Sequence, residues 1–403
     1  MSAGPAWLGA AEAAALLHVS RATLYAYVSR GYVRSQAVPG SPRARAYARH
    51  DLEKLRRRTE ERRDPDKAAA HALQWGMPIL ESSIALIDGR RLYYRGHDAV
   101  VLARSRSLQD VASLIWTGMF GAAFADDVDV GAALQGRPKG LSFVGRAQAA
   151  IATAAARDPV AADCRPASAA RCGWRILRLL TDVATRAPST EKTIDRRLAA
   201  AWRTGSRGVD VLRSALILCA DHELNVSSFT ARCVASAGSS PYAVVIAGLA
   251  ALEGARHGGA SARVESMLAA MRRERRLRSA IGARLHRGEP LDGFGHPLYS
   301  HGDPRAAMLL DLLRRTYAKS PELRFIYEFA DAARASVREL PNIDFALAAL
   351  ARVMRLPPGS PMTIFAIGRT IGWIGHAIEQ YATGQLIRPR AKYVGVVPGV
   401  AER

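Results

Sequence analysis

The stretch Thr363–Tyr381 reads TIFAIGRTIGWIGHAIEQY, with apolar residues recurring at the spacing of a helix. The same period runs through Ile343–Met354, Ala306–Tyr317 and Arg175–Leu180, all rich in alanine and leucine. Upstream, Ser83–Ile87 and Arg91–Tyr94 flank Asp88-Gly89, a dipeptide favoured in hairpin turns, so two short strands are expected there. Almost everything after them reads as helix, and no repeat of fixed period interrupts it. The expected fold class is therefore mainly α.

The whole chain sets the bounds. Its 403 residues suffice for a large core and more than one domain. The longest apolar run, Tyr242–Leu252, is far too short to cross a bilayer, and no membrane partner is expected. Met1–Gly9 lacks the basic start and apolar stretch of an export signal, which points to the cytoplasm. Cys164, Cys172, Cys219 and Cys233 show no paired CxxC spacing, against a zinc cluster or disulfide framework. A net charge of +21 favours anionic partners: acyl-CoA phosphates, dicarboxylates or DNA. A generally arginine-rich composition gives the same figure with no single partner.

Residues 1–58 read as a separate unit. Glu12–Leu17 suggests a short helix, His18-Val19-Ser20 a turn, and Arg21–Ser29 a second helix capped by Ser20 and ended by Gly31. Tyr32–Tyr47, basic and extended around Pro39-Gly40, suits a β-hairpin wing, and a third helix opens at His50–Leu55. This order resembles the small winged helix-turn-helix of the MerR and excisionase type. That resemblance places Arg21, Thr23 and Tyr25 toward a major groove and Arg43 and Arg45 on phosphates. Residues 1–67 hold 13 basic and 7 acidic side chains, a modest excess that equally suits a protein-binding module. A charged linker with Asp64-Pro65 is expected over 59–72.

The body carries histidines in unusual settings. His257 is followed by Gly258-Gly259-Ala260, small residues that let ligand and backbone approach closely. His296 lies in Gly293-Phe294-Gly295-His296-Pro297-Leu298-Tyr299, with Gly302-Asp303-Pro304-Arg305 close behind. His222 opens Asp221–Asn225 ahead of a helical stretch. Asp344 stands among apolar neighbours in Pro341–Phe345, where burial would raise its pKa toward that of a general base. Singly, each reads as a turn, packing or capping residue; the set in this order is harder to dismiss.

Five stretches, GFGHPLYSHGDPR (Gly293–Arg305), DHELNVSSFTA (Asp221–Ala231), HGGA (His257–Ala260), NIDF (Asn342–Phe345) and FAIGRTIGWIGHAIEQYATGQLIRPRAKYV (Phe365–Val394), strongly resemble the citrate synthase family. Tyr94-Arg95-Gly96 also matches, and the resemblance runs from about residue 75 to the C-terminus.

The resemblance implies a two-domain helical fold, with a large domain over 73–257 and 350–403 and a small one over 258–349. It implies condensation of acetyl-CoA with oxaloacetate and water to citrate and CoA. Asp344 would be the base, His257 the donor to the thioester oxygen, and His296 the donor to the ketone oxygen. His222, Arg305 and Arg369 would hold the oxo acid. Arg388 would reach a neighbouring subunit's site, which implies a homodimer. CoA is then a consumed cosubstrate running past Leu291, Gly293, Phe294 and Gly295; no permanently bound cofactor or metal is expected. The basic run Arg272–Arg276 could meet its phosphates, or form a solvated helix face.

The chain departs from the family pattern at Ala255, Arg256 and Ser261, where proline, a variable residue and asparagine are usual. Two other readings stand beside the first. One is a 2-methylcitrate synthase using propionyl-CoA, since one methylene gives only about 1–3 kcal/mol of discrimination. The other is a DNA-binding regulator that senses oxaloacetate, citrate or CoA through a synthase-like body.

Overall fold

The computed structural model describes residues 7–38, 41–53, 55–56, 80–124, 140–186, 191–391 and 393–395. It divides into two units, one ending at Glu81 and one beginning at Ser82.

In the first unit, β1 (Trp7–Gly9) leads into α1 (Ala10–Leu17) and α2 (Arg21–Ser29), followed by β2 (Ser35–Val38) and β3 (Ser41–Ala48). The Glu12 carboxylate accepts the Gly9 amide at 2.9 Å and so closes the start of α1. His18, at φ 51°, ends that helix. Ser20 Oγ then accepts the Thr23 amide at 3.2 Å and starts α2. The three strands pair antiparallel in the order β1-β3-β2. Leu8, Ala13, Leu17, Leu24, Val33, Tyr47 and Leu52 close a small core of their own. Residues 49–53 and 55–56 are helical. The expected Pro39-Gly40 turn and the 59–72 linker lie outside the described residues.

The second unit opens with β4 (Ala85–Ile87), β5 (Leu92–Tyr94) and β6 (His97–Asp98). The hairpin forms around Asp88-Gly89 with strands shorter than the sequence suggests, because Asp88 Oδ1 accepts the Arg90 and Arg91 amides and draws those residues into the turn. Helices follow: α3 (Ala99–Ser105), α4 (Leu108–Thr117), α5 (Phe143–Arg157), α6 (Pro166–Thr185), α7 (Ile194–Ala201), α8 (Gly205–Leu218) and α9 (Val226–Ser236). Then come α10 (Pro241–Leu252), α11 (Gly259–Met271), α12 (Leu277–His286), α13 (Pro304–Thr316), α14 (Pro321–Val337), α15 (Ile343–Val353) and α16 (Ser360–Thr383).

Helix α16 is the axis of this unit. It is buried on every side from Ser360 to Ile378 apart from Met362, and α6, α8, α9 and α10 pack around it. Such close packing explains its glycines. A Cβ on Gly372 would collide with Asp221 and the Ala220 carbonyl, and one on Gly368 would reach the Leu216 carbonyl. The Gly372 amide instead donates to Ala220 O at 2.9 Å, which pins the segment after α8 against the middle of α16. Tyr94 Oη donates to Ile217 O at 3.0 Å and fixes the hairpin to the end of α8. No helix among the described residues is long and apolar enough to cross a membrane.

Candidate active site

Four connections and one helix converge. The segment 219–225 joins α8 to α9, 253–258 joins α10 to α11, 287–303 joins α12 to α13, 338–342 leads into α15, and α16 lies behind. Their backbones are tied by side chains that sit at helix starts. Asp303 caps α13 by accepting the Arg305 amide at 3.0 Å, and its other oxygen accepts the Ile343 amide at 3.0 Å. Asn342 caps α15 by accepting the Asp344 amide at 3.1 Å, while its Nδ2 donates to Gly295 O at 3.0 Å. The Asn342 amide donates to Gly293 O at 2.8 Å and the Gly295 amide to Leu340 O at 2.9 Å. The glycines at 293 and 295 have φ of 89° and 76°, a backbone that other residues enter only under strain. Thus the loop carrying His296 is locked to the start of the helix carrying Asp344.

His222 and His296 come together, ring centroids 5.0 Å apart, edge to face. Tyr299 joins them, its Oη 2.9 Å from His222 Nε2. Burial holds His222 well below the usual imidazole range, and the charges of Arg305 and Arg369 press the same way. Burial and then Arg305 bring His296 down to about 4. Both rings are therefore neutral at physiological pH and able to donate one hydrogen bond each.

The two arginines differ. Arg305 is buried and engages Asp303 through Nε and Nη2 at 2.9 and 2.8 Å, a bidentate pair. Arg369, 1% exposed, donates through Nε to Cys219 O at 2.8 Å and lies 4.6 Å from the Phe365 ring centre. Its Nη1 is buried with no hydrogen-bond partner among the described residues. A buried guanidinium N–H without an acceptor is costly, and an anion bound beside it would relieve that cost.

His257 lies in the turn two residues ahead of α11, its Nε2 2.8 Å from Ser227 Oγ and its ring edge-on to Phe365. Burial, and then Arg369, lower it to about 4. The Ser227 hydroxyl has two possible acceptors, Asn225 Oδ1 at 2.8 Å and His257 Nε2. Asn225 Oδ1 already receives the Ser227 and Ser228 amides at 3.1 Å each. Trp373 Nε1–H, at 3.1 Å, fills one lone pair of the hydroxyl. The hydroxyl has one proton for these two acceptors; when it turns from Asn225 Oδ1 toward Nε2, the neutral His257 ring carries its N–H at Nδ1. Asp344 is the remaining member. Burial raises its pKa from the usual carboxylate value, opposed by the hydroxyl of Ser261, which donates to Oδ1 at 2.5 Å.

Neutral imidazole donors, a carboxyl raised by burial and a guanidinium lacking an acceptor suit proton abstraction next to a carbonyl, with an anionic partner held alongside. Among the described residues, no group of His, Cys, Asp and Glu is placed to hold a metal ion.

The citrate synthase C-terminal domain model matches residues 72–390. The chain belongs to the citrate synthase family. Citrate synthase 2 of Bacillus subtilis is 38% identical over 191 residues, 46% of this chain and 51% of that protein. The chain thus spans about half the length of that relative. The citrate synthase of Haloferax volcanii is 30% identical over 368 residues, 79% of this chain and 94% of that protein. The 2-methylcitrate synthase of Shewanella oneidensis is 29% identical over 358 residues, 77% and 91% respectively. Among solved structures, the ternary complex of citrate synthase from Thermoplasma acidophilum with carboxymethyl coenzyme A and oxaloacetate superposes with a TM-score of 0.67 at 25% identity over 81% of this chain and 95% of that one. The mainly helical fold is the citrate synthase fold.

The remaining expected residues fall elsewhere. Leu291 and Phe294 are buried, and the backbone groups of Gly293 O and Gly295 N are already used by 340–342. Arg388 is exposed in the non-helical stretch after α16 and, among the described residues, makes no hydrogen bond or ion pair. In the basic run, Arg272 pairs with Glu322 at 3.3 Å and stacks on Phe325, while Arg273, Arg275 and Arg276 are exposed. Arg256 is exposed too. In the first unit Arg21 and Tyr25 are exposed on α2, Thr23 bonds Ser20 at 2.9 Å, Arg43 lies in β3 and Arg45 donates to Ser35 Oγ at 3.0 Å. Sequence reading passed over Ser227, Tyr299 and Asn342 as site residues. Only the Asn342 role had a local signal, an asparagine two residues ahead of a carboxylate at a helix start.

Proposed function

We propose that this chain condenses an acyl-CoA with oxaloacetate, and that acetyl-CoA is the acyl donor, giving citrate and CoA. The observation that carries this reading is the buried Arg369 Nη1, without an acceptor among the described residues, whose charge acts on two neutral histidines, His222 and His257. It is a place for a dicarboxylate bearing a ketone. The Thermoplasma acidophilum neighbour holds oxaloacetate and a CoA analogue, which supports carrying both ligands to this chain.

In this reading oxaloacetate lies against His222, Arg305 and Arg369, with its ketone oxygen toward His296. Asp344 takes a proton from the methyl carbon of the thioester, and the electron pair moves onto the thioester oxygen. His257 meets that oxygen through Nδ1–H. The carbon of the resulting enolate, held by the His257 hydrogen bond, attacks the ketone carbon as His296 gives its proton to the ketone oxygen. Water then cleaves the thioester and frees CoA. CoA passes Leu291–Gly295, residues 258–349 close over the oxo acid about Gly258-Gly259, and Arg388 completes the site of a partner subunit.

Free thiol release from acetyl-CoA and propionyl-CoA, each with and without oxaloacetate, tests the proposal. Release that depends on oxaloacetate supports it, and a faster rate with propionyl-CoA reassigns the chain as a 2-methylcitrate synthase. Absence of release from folded protein that still binds oxaloacetate overturns it in favour of a sensor.

A second reading concerns the first unit. Arg21 and Tyr25, one helical turn apart and exposed on α2, favour a nucleic-acid contact for residues 1–58, in the manner of a winged helix-turn-helix. Duplex DNA binding by the full chain should then fall steeply with salt and weaken in Arg21→Ala. No affinity at low salt would remove this reading.

A further inference from the structure

Ser261 follows His257 by four residues and sits in the first turn of α11. It is 1% exposed, and its Oγ donates to Asp344 Oδ1 across 83 residues of chain at 2.5 Å. The Asp344 backbone is fixed separately, through its amide on Asn342 Oδ1. One carboxyl oxygen is therefore engaged, and Oδ2 makes no hydrogen bond among the described residues.

We propose that Ser261 is a positioning residue for the base: it fixes the Asp344 carboxylate so that Oδ2 receives the proton, and it keeps that carboxylate ionised near neutral pH. The inference rests on the reading of Asp344 as the base. Other charged groups facing Asp344 are Arg305 and Asp303 from α13 and its cap, and Arg263 from α11. Each is already committed. Arg305 and Asp303 form their bidentate pair, and Arg263 is bound to Asp292 at 2.8 Å and half exposed. The hydroxyl is the donor in direct contact, opposing the burial that favours the protonated acid. During turnover the Ser261 proton stays on Oγ. The methyl C–H bond breaks, its proton passes to Oδ2, and its electron pair is delocalised onto the thioester oxygen.

Position 261, where the family usually has asparagine, thus bears on the base itself. His257 and Ser261, four residues apart, join the two halves of the proton-transfer site: Ser227 of α9 bonds the His257 ring, and Ser261 of α11 bonds the carboxylate of α15.

The test is the pH dependence of kcat and kcat/KM for thiol release in the full chain, comparing the parent with Ser261→Ala, Ser261→Asn and Asp344→Asn. Loss of one donor to a charged group should move the acid limb of Ser261→Ala up by about one pH unit. Near neutral pH kcat should fall more than KM rises. Ser261→Asn, which restores an N–H donor, should bring the limb back toward the parent. Should the alanine variant fail to fold, Ser261→Cys, similar in size but a weak donor, gives the same reading. A limb that superposes on the parent's in either variant overturns the inference. Turnover retained by Asp344→Asn would instead overturn the base assignment, so the two failures are distinct.

Discussion

The Nδ1 atom of His296 accepts the backbone amide of Leu298 at 3.2 Å, and this contact places the proton of the neutral ring on Nε2. The Gly-His-Pro-Leu turn therefore does more than display an imidazole. It sets which nitrogen can donate, and the low pKa of the ring keeps it from charging.

Replacing His296 by alanine removes that donor and leaves the Asp303–Arg305 pair and Arg369 in place. Turnover should fall by roughly 10²–10⁴-fold, the span of a general acid. Oxaloacetate binding, measured by calorimetry, should weaken far less. A loss of binding as large as the loss of turnover would show His296 to be a ligand of the ground state only.

Asp344→Asn keeps an oxygen for Ser261 to donate to, and keeps nearly the same volume. It should abolish thiol release while oxaloacetate still binds, since the carboxylate acts on the acyl partner. Retained release in a thiol assay would remove Asp344 from the reaction.

The fold was legible where the physics is local. Thr363–Tyr381 declares a helix by period alone, and its glycines gain their meaning only once Ala220 and Asp221 are seen against Gly372. The chemistry around His257, His296 and Asp344 could be suspected from glycine, proline and asparagine beside them. Their partners could not. Ser227 is 30 residues from His257 and Ser261 is 83 from Asp344, separations at which no short-range pattern survives. In the sequence Asp303 stands only as a neighbour of Arg305 in Gly302-Asp303-Pro304-Arg305. That it also caps α15 through the Ile343 amide follows from tertiary packing.

Arg369 gives a prediction about stability. Its buried Nη1 lacks a hydrogen-bond partner among the described residues, and burial, opposed by the Asp221 carboxylate, lowers its pKa, so the free protein holds a buried charge with an incomplete set of hydrogen bonds. Exchange for methionine replaces that charge with a side chain of similar length, a change that is often neutral or stabilising. The Tm of Arg369→Met without ligand should equal or exceed the parent's. The parent should gain roughly 5 °C when oxaloacetate stands at about 100 times its Kd, and the variant should gain nothing. Calorimetric scans with and without oxaloacetate decide it, and a variant that melts lower yet still responds to the ligand would contradict the account.

The three histidines predict how stability follows pH. In the folded protein His257 and His296 lie at about 4 and His222 well below its ordinary 6.5. An unfolded chain titrates them at 6.5, so between the two values it binds protons that the folded protein refuses. Stability from this source is complete above 6.5 and is lost as pH falls toward 4. Asp344, raised by burial, works in the opposite sense, since the folded form keeps its proton to higher pH. Glu223 and Glu265, also raised by burial, act in the same sense as Asp344, but the histidine effect begins at higher pH. The Tm should therefore fall steadily between pH of about 7 and about 5. His296→Gln, which cannot charge, should flatten the decline. An unchanged slope in that variant would mean that the His296 ring takes up its proton in the folded state as readily as in the unfolded one.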